Sequence, residues 1–285
     1  VGRILTEHRA LEHQLSEKEF KFICKLVHDT TGIVLDERKR EMVYRRLMRR
    51  TRELKIVSFS AYCQFLSDRK DEELPNFVNA ITTNLTSFFR EQHHFSYLKD
   101  VFFPAHQQKF SAQRRLRIWS AACSTGEEPY SLAITLKQAL GADLDHWDAR
   151  ILATDLDTNV LSTAKGGVYH VDRIKGLPES VCKRWFMRGV GDNSNCVKVD
   201  PDLSRLIVFK QLNLLEDWPV RGPFDVIMCR NVLIYFDKPT QQQLVQRFCE
   251  LLRPQGLLIL GHSESIAKQF SYFEARGHTI FEKIN

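Results

Sequence analysis

The hydrophobic pattern of this 285-residue chain changes its period part-way along, and that change restricts the folds open to it. Through roughly the first third, apolar residues recur at helical spacing; from about Arg117 onward, short apolar runs alternate with helical stretches. In the first part Phe20, Ile23, Cys24 and Val27 lie on one helical face, Ser16 and Glu19 have capping-box spacing, and Gly32 offers a stop. This predicts a helix over 17–31. A second is expected from behind Asp36 to about Leu54, a third behind Ser58, and a fourth including Asn76–Thr83. Later, LRIWSA (116–121), ILAT (151–154), LIVFKQL (206–212), FDVIMC (224–229) and LLIL (257–260) read as buried parallel strands. Helices fit between them at 127–140, 158–165 and 239–252, and 279–284 is a candidate last strand. Residues 168–202 break this rhythm with a helical stretch near 179–187, a turn at 191–195 and a strand at 196–199, which suggests an inserted β unit. The expected organisation is an all-α domain with linker at 12–90, then an α/β domain at 91–285 with an insert at 168–202.

The longest uninterrupted apolar run, Val232–Phe236, is five residues, far below the roughly 18–20 of a spanning helix, so no membrane insertion is expected. No charged-then-apolar leader opens the sequence, and the seven cysteines form no C-x-x-C pair; a reducing cytoplasm is the expected location. Ten histidines show no H-E-x-x-H spacing, and the neighbours His93 and His94 should diverge on a helix, so no metal is expected. The net charge of +6 is local: residues 1–70 carry 16 Lys/Arg against 10 Asp/Glu, and the remainder carries 25 of each. A helical projection of the second helix sets Val43, Leu47 and Leu54 against Arg38, Arg45, Arg49 and Arg52, with Arg46 and Arg50 widening the basic face. Such a stripe is either an ordinary solvated surface or a docking face for carboxylates or phosphates.

The first strand runs into AACSTGEEPYS (121–131), where Gly126 makes a tight turn and Glu127, Glu128 and Pro129 open a helix. Two carboxylates at a helix start would repel a pyrophosphate, and the chain lacks both G-x-G-x-x-G and a Walker lysine. A cationic or amine-bearing ligand suits this turn better. The second strand ends at Asp155, which could accept both hydroxyls of a ribose; Asp157 competes for that role, and either could simply cap the next helix. Taken together, these features point to a nucleoside with a positive, amine-containing tail, and S-adenosylmethionine matches.

The strings NLTSFFRE (84–91), AACSTGEEPYS, ATDLD (153–157), NLL (213–215), CRNVLIYF (229–236) and GHSES (261–265), in this order and spacing, resemble the chemotaxis receptor glutamate methyltransferases, the CheR family. The resemblance spans nearly the whole chain. It implies a Rossmann-like S-adenosylmethionine-dependent methyltransferase sheet of the α/β class, with a small antiparallel β subdomain inserted and an all-α domain in front. It further implies that Asn84, Thr86 and Arg90 contact the cofactor, that Glu128 and Asp155 hold its amino acid and ribose portions, and that Asn213 and Leu214 flank the adenine. Arg230 and Asn231 would complete the pocket, and Arg90 and Tyr235 would serve the transfer step. The substrate would be glutamates on the cytoplasmic helical bundle of chemoreceptors, met by Arg38, Arg45, Arg49 and Arg52. S-adenosylhomocysteine would be the product, and the 168–202 insert resembles the family's receptor-docking subdomain, which in some members takes a C-terminal receptor peptide.

Each residue also has an ordinary reading. Tyr235 lies in an apolar run and suits a core, and Arg90 suits a surface joint; Cys123 and Cys229 read as small buried hydrophobes, and His262 is given no role. Two rival functions are a nucleic-acid methyltransferase, suggested by the basic N-terminal region, and a non-catalytic S-adenosylmethionine sensor. Against the former, CRNVLIYF stands where amino methyltransferases of bases carry a Pro-Pro-aromatic tetrapeptide.

Overall fold

The computed structural model describes residues 14–266 and 270–284, so residues 12, 13, 267–269 and 285 of the expected domain spans lie outside it. The chain divides into two compact units, one running to Thr83 with Tyr235–Asp237 added, the other comprising Asn84–Ile234 and Lys238 onward.

The first unit is helical. Helix α1 (Glu17–Thr31) starts at a complete capping box: the Glu19 amide donates to the Ser16 hydroxyl at 3.3 Å, and the Ser16 amide donates to the Glu19 carboxylate at 2.7 Å. Gly32, at φ +71°, ends it in the left-handed conformation that glycine tolerates best. A 3-10 turn at Glu37–Lys39 leads into α2 (Arg40–Glu53), followed by α3 (Phe59–Asp68), capped by Ser58, and α4 (Lys70–Ile81). Ile23, Val43, Leu47, Phe59, Tyr62 and Phe77 are buried. One expectation fails here. Arg46 and Arg50 do not widen the basic face of α2: Arg46 donates to the Thr82 carbonyl at 2.8 Å, and Arg50 forks onto the buried Glu73 at 2.8 and 2.6 Å. Their partners sit on or just after α4, so the one-helix projection did not contain them. The Tyr62 hydroxyl also donates to Glu73 at 2.8 Å, which leaves that buried carboxylate well satisfied.

The second unit opens with α5 (Gln92–Tyr97), a π-helical turn (Leu98–Phe102) and α6 (Phe103–Lys109), which the hydrophobic pattern had not indicated. Its strands are β1 (Arg115–Ala121), β2 (Asp148–Asp155), β3 (Val168–His170), β4 (Phe186–Arg188), β5 (Cys196–Val199), β6 (Ile207–Gln211), β7 (Phe224–Cys229), β8 (Leu252–Leu260), β9 (Phe273–Gly277) and β10 (Ile280–Lys283). Seven form one sheet in the order β6-β2-β1-β7-β8-β10-β9, parallel from β6 to β8 and antiparallel thereafter. The helices are α7 (Glu127–Leu140), α8 (Thr158–Gly166), α9 (Glu179–Trp185), α10 (Pro201–Ser204) and α11 (Lys238–Leu251). The central strands read as continuous apolar runs because both faces are buried; Ile118, Trp119, Val226 and Ile227 are all fully enclosed. The order reverses between β1 and β7, the topological switch point where α/β sheets place ligands at the strands' carboxyl ends.

The insert is a second, antiparallel sheet in the order β3-β5-β4. Strands β3 and β4, three residues each, were too short to leave an alternating pattern. The insert does not have a separate core: Tyr169, Trp185, Phe186, Val197 and Val199 belong to the same apolar cluster as β1 and α7.

Candidate active site

The carboxyl ends of β1, β2, β6 and β7 lie side by side, with Ala121 paired to Thr154, Asp155 to Gln211 and Ser120 to Met228. This register brings four of the sequence motifs to one edge, and the pairing of Cys229 with Leu260 adds a fifth, GHSES, after β8. After β1 the chain makes a tight loop in which Ala122, Ser124 and Gly126 take φ of +67°, +51° and +97°. Two of these are not glycine, and each such left-handed residue costs roughly 1–2 kcal/mol. Asp155 helps hold the loop: its carboxylate accepts the Ser124 amide at 2.8 Å and the Asp157 amide at 3.0 Å. Burial pushes the Asp155 pKa up to about 6. Asp157, the competing candidate, is the α8 cap; it accepts from the Asn159 amide at 2.8 Å and from the Asn84 side-chain amide at 2.8 Å. The Ser124 hydroxyl donates to the Asn84 carbonyl at 2.9 Å, so Asn84, Ser124, Asp155 and Asp157 form one connected group.

Glu127 and Glu128, adjacent in sequence, go to different partners. Glu128 accepts from the Ser120 hydroxyl at 2.7 Å and from Arg230 at 3.1 Å, and burial raises its pKa. The Arg230 side chain, 2% exposed, also lies 3.2 Å from Glu91 and donates to the Arg90 carbonyl. Its Nε is buried with no protein partner, a donor available to a ligand acceptor such as the carboxylate of an amino acid tail. Glu91 takes further donors from Asn231 at 3.3 Å and from the His262 ring at 2.8 Å. Burial works against its charge, but the His262 hydrogen bond and the Arg230 charge outweigh it and bring the Glu91 pKa down to about 2. Glu264, also buried, fixes the turn after β7 by accepting the amides of Asn231 at 2.9 Å, Val232 at 2.8 Å and Gly261 at 2.6 Å. Asn231 is left-handed there (φ +59°), and a Cβ on Gly261 would stand 2.4 Å from its side-chain nitrogen.

Sequence reasoning gave Glu91, Glu264 and Ser124 no role, although all three lie inside the recognised strings. His93 and His94, expected to diverge, have ring centroids 4.2 Å apart, and with Glu91 they bring potential ligand atoms within 4.8 Å of one another. The Glu91 oxygens already serve Arg230, Asn231 and His262, and the His94 Nε2 lies 2.6 Å from the His278 carbonyl. Cys123 and Cys229 are buried, and burial pushes both thiols well above their ordinary range, as expected of small apolar residues.

The remaining sequence candidates are placed as follows. Asn213 follows β6, where the Leu212 amide donates to the Asp155 carbonyl at 2.9 Å; its side chain accepts the Leu215 amide at 3.1 Å and donates to Glu216 at 3.1 Å. The Leu214 carbonyl accepts from Trp218 at 3.1 Å and Arg247 at 2.9 Å. Arg90 folds back onto the Leu85 carbonyl at 2.9 Å, and Thr86 is half-buried on the same segment. Tyr235 belongs to the helical unit: its carbonyl accepts the Val34 amide at 2.8 Å, and the Lys39 ammonium sits 5.4 Å from its ring centroid. Arg38, in the 3-10 turn, and Arg45, Arg49 and Arg52, on α2, are all exposed, and the first three pair with Asp36, Glu41 and Glu53.

Two family models cover this architecture: the CheR methyltransferase all-alpha domain over residues 18–82 and the CheR methyltransferase SAM binding domain over residues 84–281. The chain belongs to the CheR methyltransferase family. It is 46% identical over 273 residues to chemotaxis protein methyltransferase 2 of Pseudomonas aeruginosa, covering 95% of this chain and 94% of that one. Against the chemotaxis protein methyltransferase of Salmonella typhimurium the identity is 45% over 272 residues, covering 94% and 90%. The Escherichia coli chemotaxis protein methyltransferase is 45% identical over 269 residues, covering 94% and 91%. This CheR chain is therefore an S-adenosylmethionine-dependent methyltransferase, and the donor set suits that ligand: buried acids for hydroxyls and a cationic tail, and the unpartnered Arg230 Nε for a carboxylate.

Proposed function

We propose that the chain methylates glutamate side chains on the cytoplasmic helical bundle of chemoreceptors, giving glutamate γ-methyl esters and S-adenosylhomocysteine, and so serves adaptation in bacterial chemotaxis. The observation that carries this reading is how fully the site's titratable groups are engaged. Glu91 and Glu128 are both paired to Arg230, the His262 ring is tied to Glu91, and burial holds the Cys123 and Cys229 thiols protonated. The acceptor therefore has to arrive already ionised. A glutamate, with an ordinary pKa near 4.3, does so at neutral pH and needs no general base. The names of the relatives above supply the chemotaxis setting.

S-adenosylmethionine supplies an electrophilic methyl group on a sulfonium sulfur. The protein's task is then to orient an in-line approach and exclude water, and positioning of this kind can account for a large share of the acceleration. In this reading Asn84, Thr86, Glu128 and Asp155 hold the donor's amino acid and ribose, Asn213 and Leu214 flank its adenine, and Arg230 and Asn231 close the pocket. Arg90 orients the incoming carboxylate, and Tyr235 supplies an aromatic face or a hydroxyl for the transfer step. The exposed Arg38, Arg45, Arg49 and Arg52 attract the acidic methylation region, and the insert is the receptor-docking subdomain.

Incubation with tritium-labelled S-adenosylmethionine and receptor-bearing membranes tests this. Base-labile label on receptor protein is expected. Label on nucleic acid, or on nothing, would overturn the proposal.

A further inference from the structure

We propose that Tyr169 and Arg173, both in the inserted β unit, are positioning residues for the loop that receives S-adenosylmethionine. This rests on the reading that residues 121–128 line the cofactor site. The loop is strained, with three left-handed residues in five, so it needs outside constraint to keep its shape. One side is held by Asp155 and Asn84, through the Ser124 amide and hydroxyl at 2.8 and 2.9 Å. The opposite side is held by the insert. The Tyr169 hydroxyl donates to the Thr125 carbonyl at 2.7 Å, and a Cβ placed on Gly126 would stand 2.9 Å from that hydroxyl oxygen. Next to it, the fully buried Glu127 accepts the Thr125 hydroxyl at 2.6 Å and the Arg173 guanidinium.

The same insert residues grip a second motif. The Phe88 ring, from NLTSFFRE, meets Tyr169 and Phe186 edge-on at centroid distances of 5.1 and 5.2 Å. The Phe89 amide donates to the Ser131 hydroxyl at 2.9 Å, and that hydroxyl donates to the Glu127 carbonyl at 2.7 Å. The element expected only to dock a partner thus supports two of the segments that would hold the donor. Arg173 is 40% exposed along its side chain, so its value lies in the charged hydrogen bond its guanidinium gives Glu127 and not in filling space.

Calorimetric titration with S-adenosylhomocysteine tests this. Arg173→Ala is expected to raise the Kd about tenfold or more, and Tyr169→Phe, which deletes one hydrogen bond, about fivefold. Arg173→Lys should recover part of the loss, since it keeps the charge without the planar fork. Arg173→Ala strands a buried carboxylate and can fail to fold, so the paired variant Glu127→Gln with Arg173→Gln removes both charges. Its Kd should remain raised; a return to the wild-type value would mean that Arg173 only neutralises Glu127, and would overturn the proposal. Glu128→Gln serves as the control for the site. If it weakens binding while the Arg173 and Tyr169 variants bind like wild type, the positioning role alone is overturned. If Glu128→Gln leaves the affinity unchanged, the cofactor reading of this loop fails and the positioning role falls with it.

Discussion

On the helical unit, Arg45 and Arg49 reach Glu41 and Glu53 one turn away on their own helix, with 76% and 86% of their side chains exposed. In the α/β unit, Arg230 is 2% exposed and stands between Glu91 and Glu128, which come from different segments of the chain. The first kind of pair is worth about 0–1 kcal/mol and is screened by salt; its arginines are free to exchange partners with an incoming surface. The second kind has lost its water, and removing one member leaves an uncompensated charge inside the protein. Burial therefore separates arginines left free to meet another surface from an arginine that builds the fold. Replacing Arg230 by Ala should lower stability by about 3–5 kcal/mol in urea unfolding and abolish S-adenosylhomocysteine uptake. A variant that unfolds and binds like wild type would erase the distinction.

Arg90 tests the middle ground, a half-buried arginine with its guanidinium on the Leu85 carbonyl. If it orients a reacting group, Arg90→Ala should cut turnover on the order of a hundredfold while leaving the fold intact. Near-normal turnover with labelled donor would return it to an ordinary surface role.

The acids of the site divide in the same way, and pH reads the difference. Asp155 has a pKa pushed up from 3.8 to about 6, so the folded chain binds this proton more tightly than the unfolded chain does. Its contribution favours folding below about pH 4 and is lost as pH rises through about 6, amounting to about 3 kcal/mol. Glu91, brought down from 4.5 to about 2, has the opposite sign: its contribution is present above about pH 4.5 and is lost as pH falls towards 2. Because ribose hydroxyls would donate to the ionised Asp155, S-adenosylhomocysteine should bind more tightly as pH rises from about 5 to about 7. Asp155→Asn should flatten that dependence in calorimetry across the range. A slope that persists in the variant would place the titrating group elsewhere.

The fold was legible in the sequence wherever the determining contacts are local. The capping box at Ser16 and Glu19, the Gly126 turn and the apolar runs of the central strands each carry their own signal within a few residues. The site was legible as a set of motifs, but its wiring was not. Arg50 finds Glu73 on another helix, Arg173 reaches Glu127 across 46 positions, and Glu91 meets Arg230 only after the sheet has brought β7 alongside β1. Such pairings leave no periodic trace in a single chain. Strands β3 and β4 escaped notice for a different reason: at three residues each, they are shorter than the period-two pattern needs. The conformation of a non-glycine left-handed residue such as Ala122 or Asn231 is likewise set by the partners of its neighbours, not by its own type.

The smallest expected effect is on the exposed stripe, and it sharpens the comparison most. Replacing Arg45 and Arg49 by Glu removes two surface ion pairs, so stability should change by no more than about 0.5 kcal/mol per site. Like charges at Glu41 and Glu53, one turn away, add only a few tenths of a kcal/mol more. Neither residue belongs to the α/β unit that carries the donor motifs, so S-adenosylhomocysteine affinity should not move. What should change is the receptor KM, which should rise, and its salt dependence, which should weaken, because an attraction between guanidinium groups and glutamates would have become a repulsion. An unchanged receptor KM at low ionic strength would show that Arg45 and Arg49 belong to an ordinary solvated face.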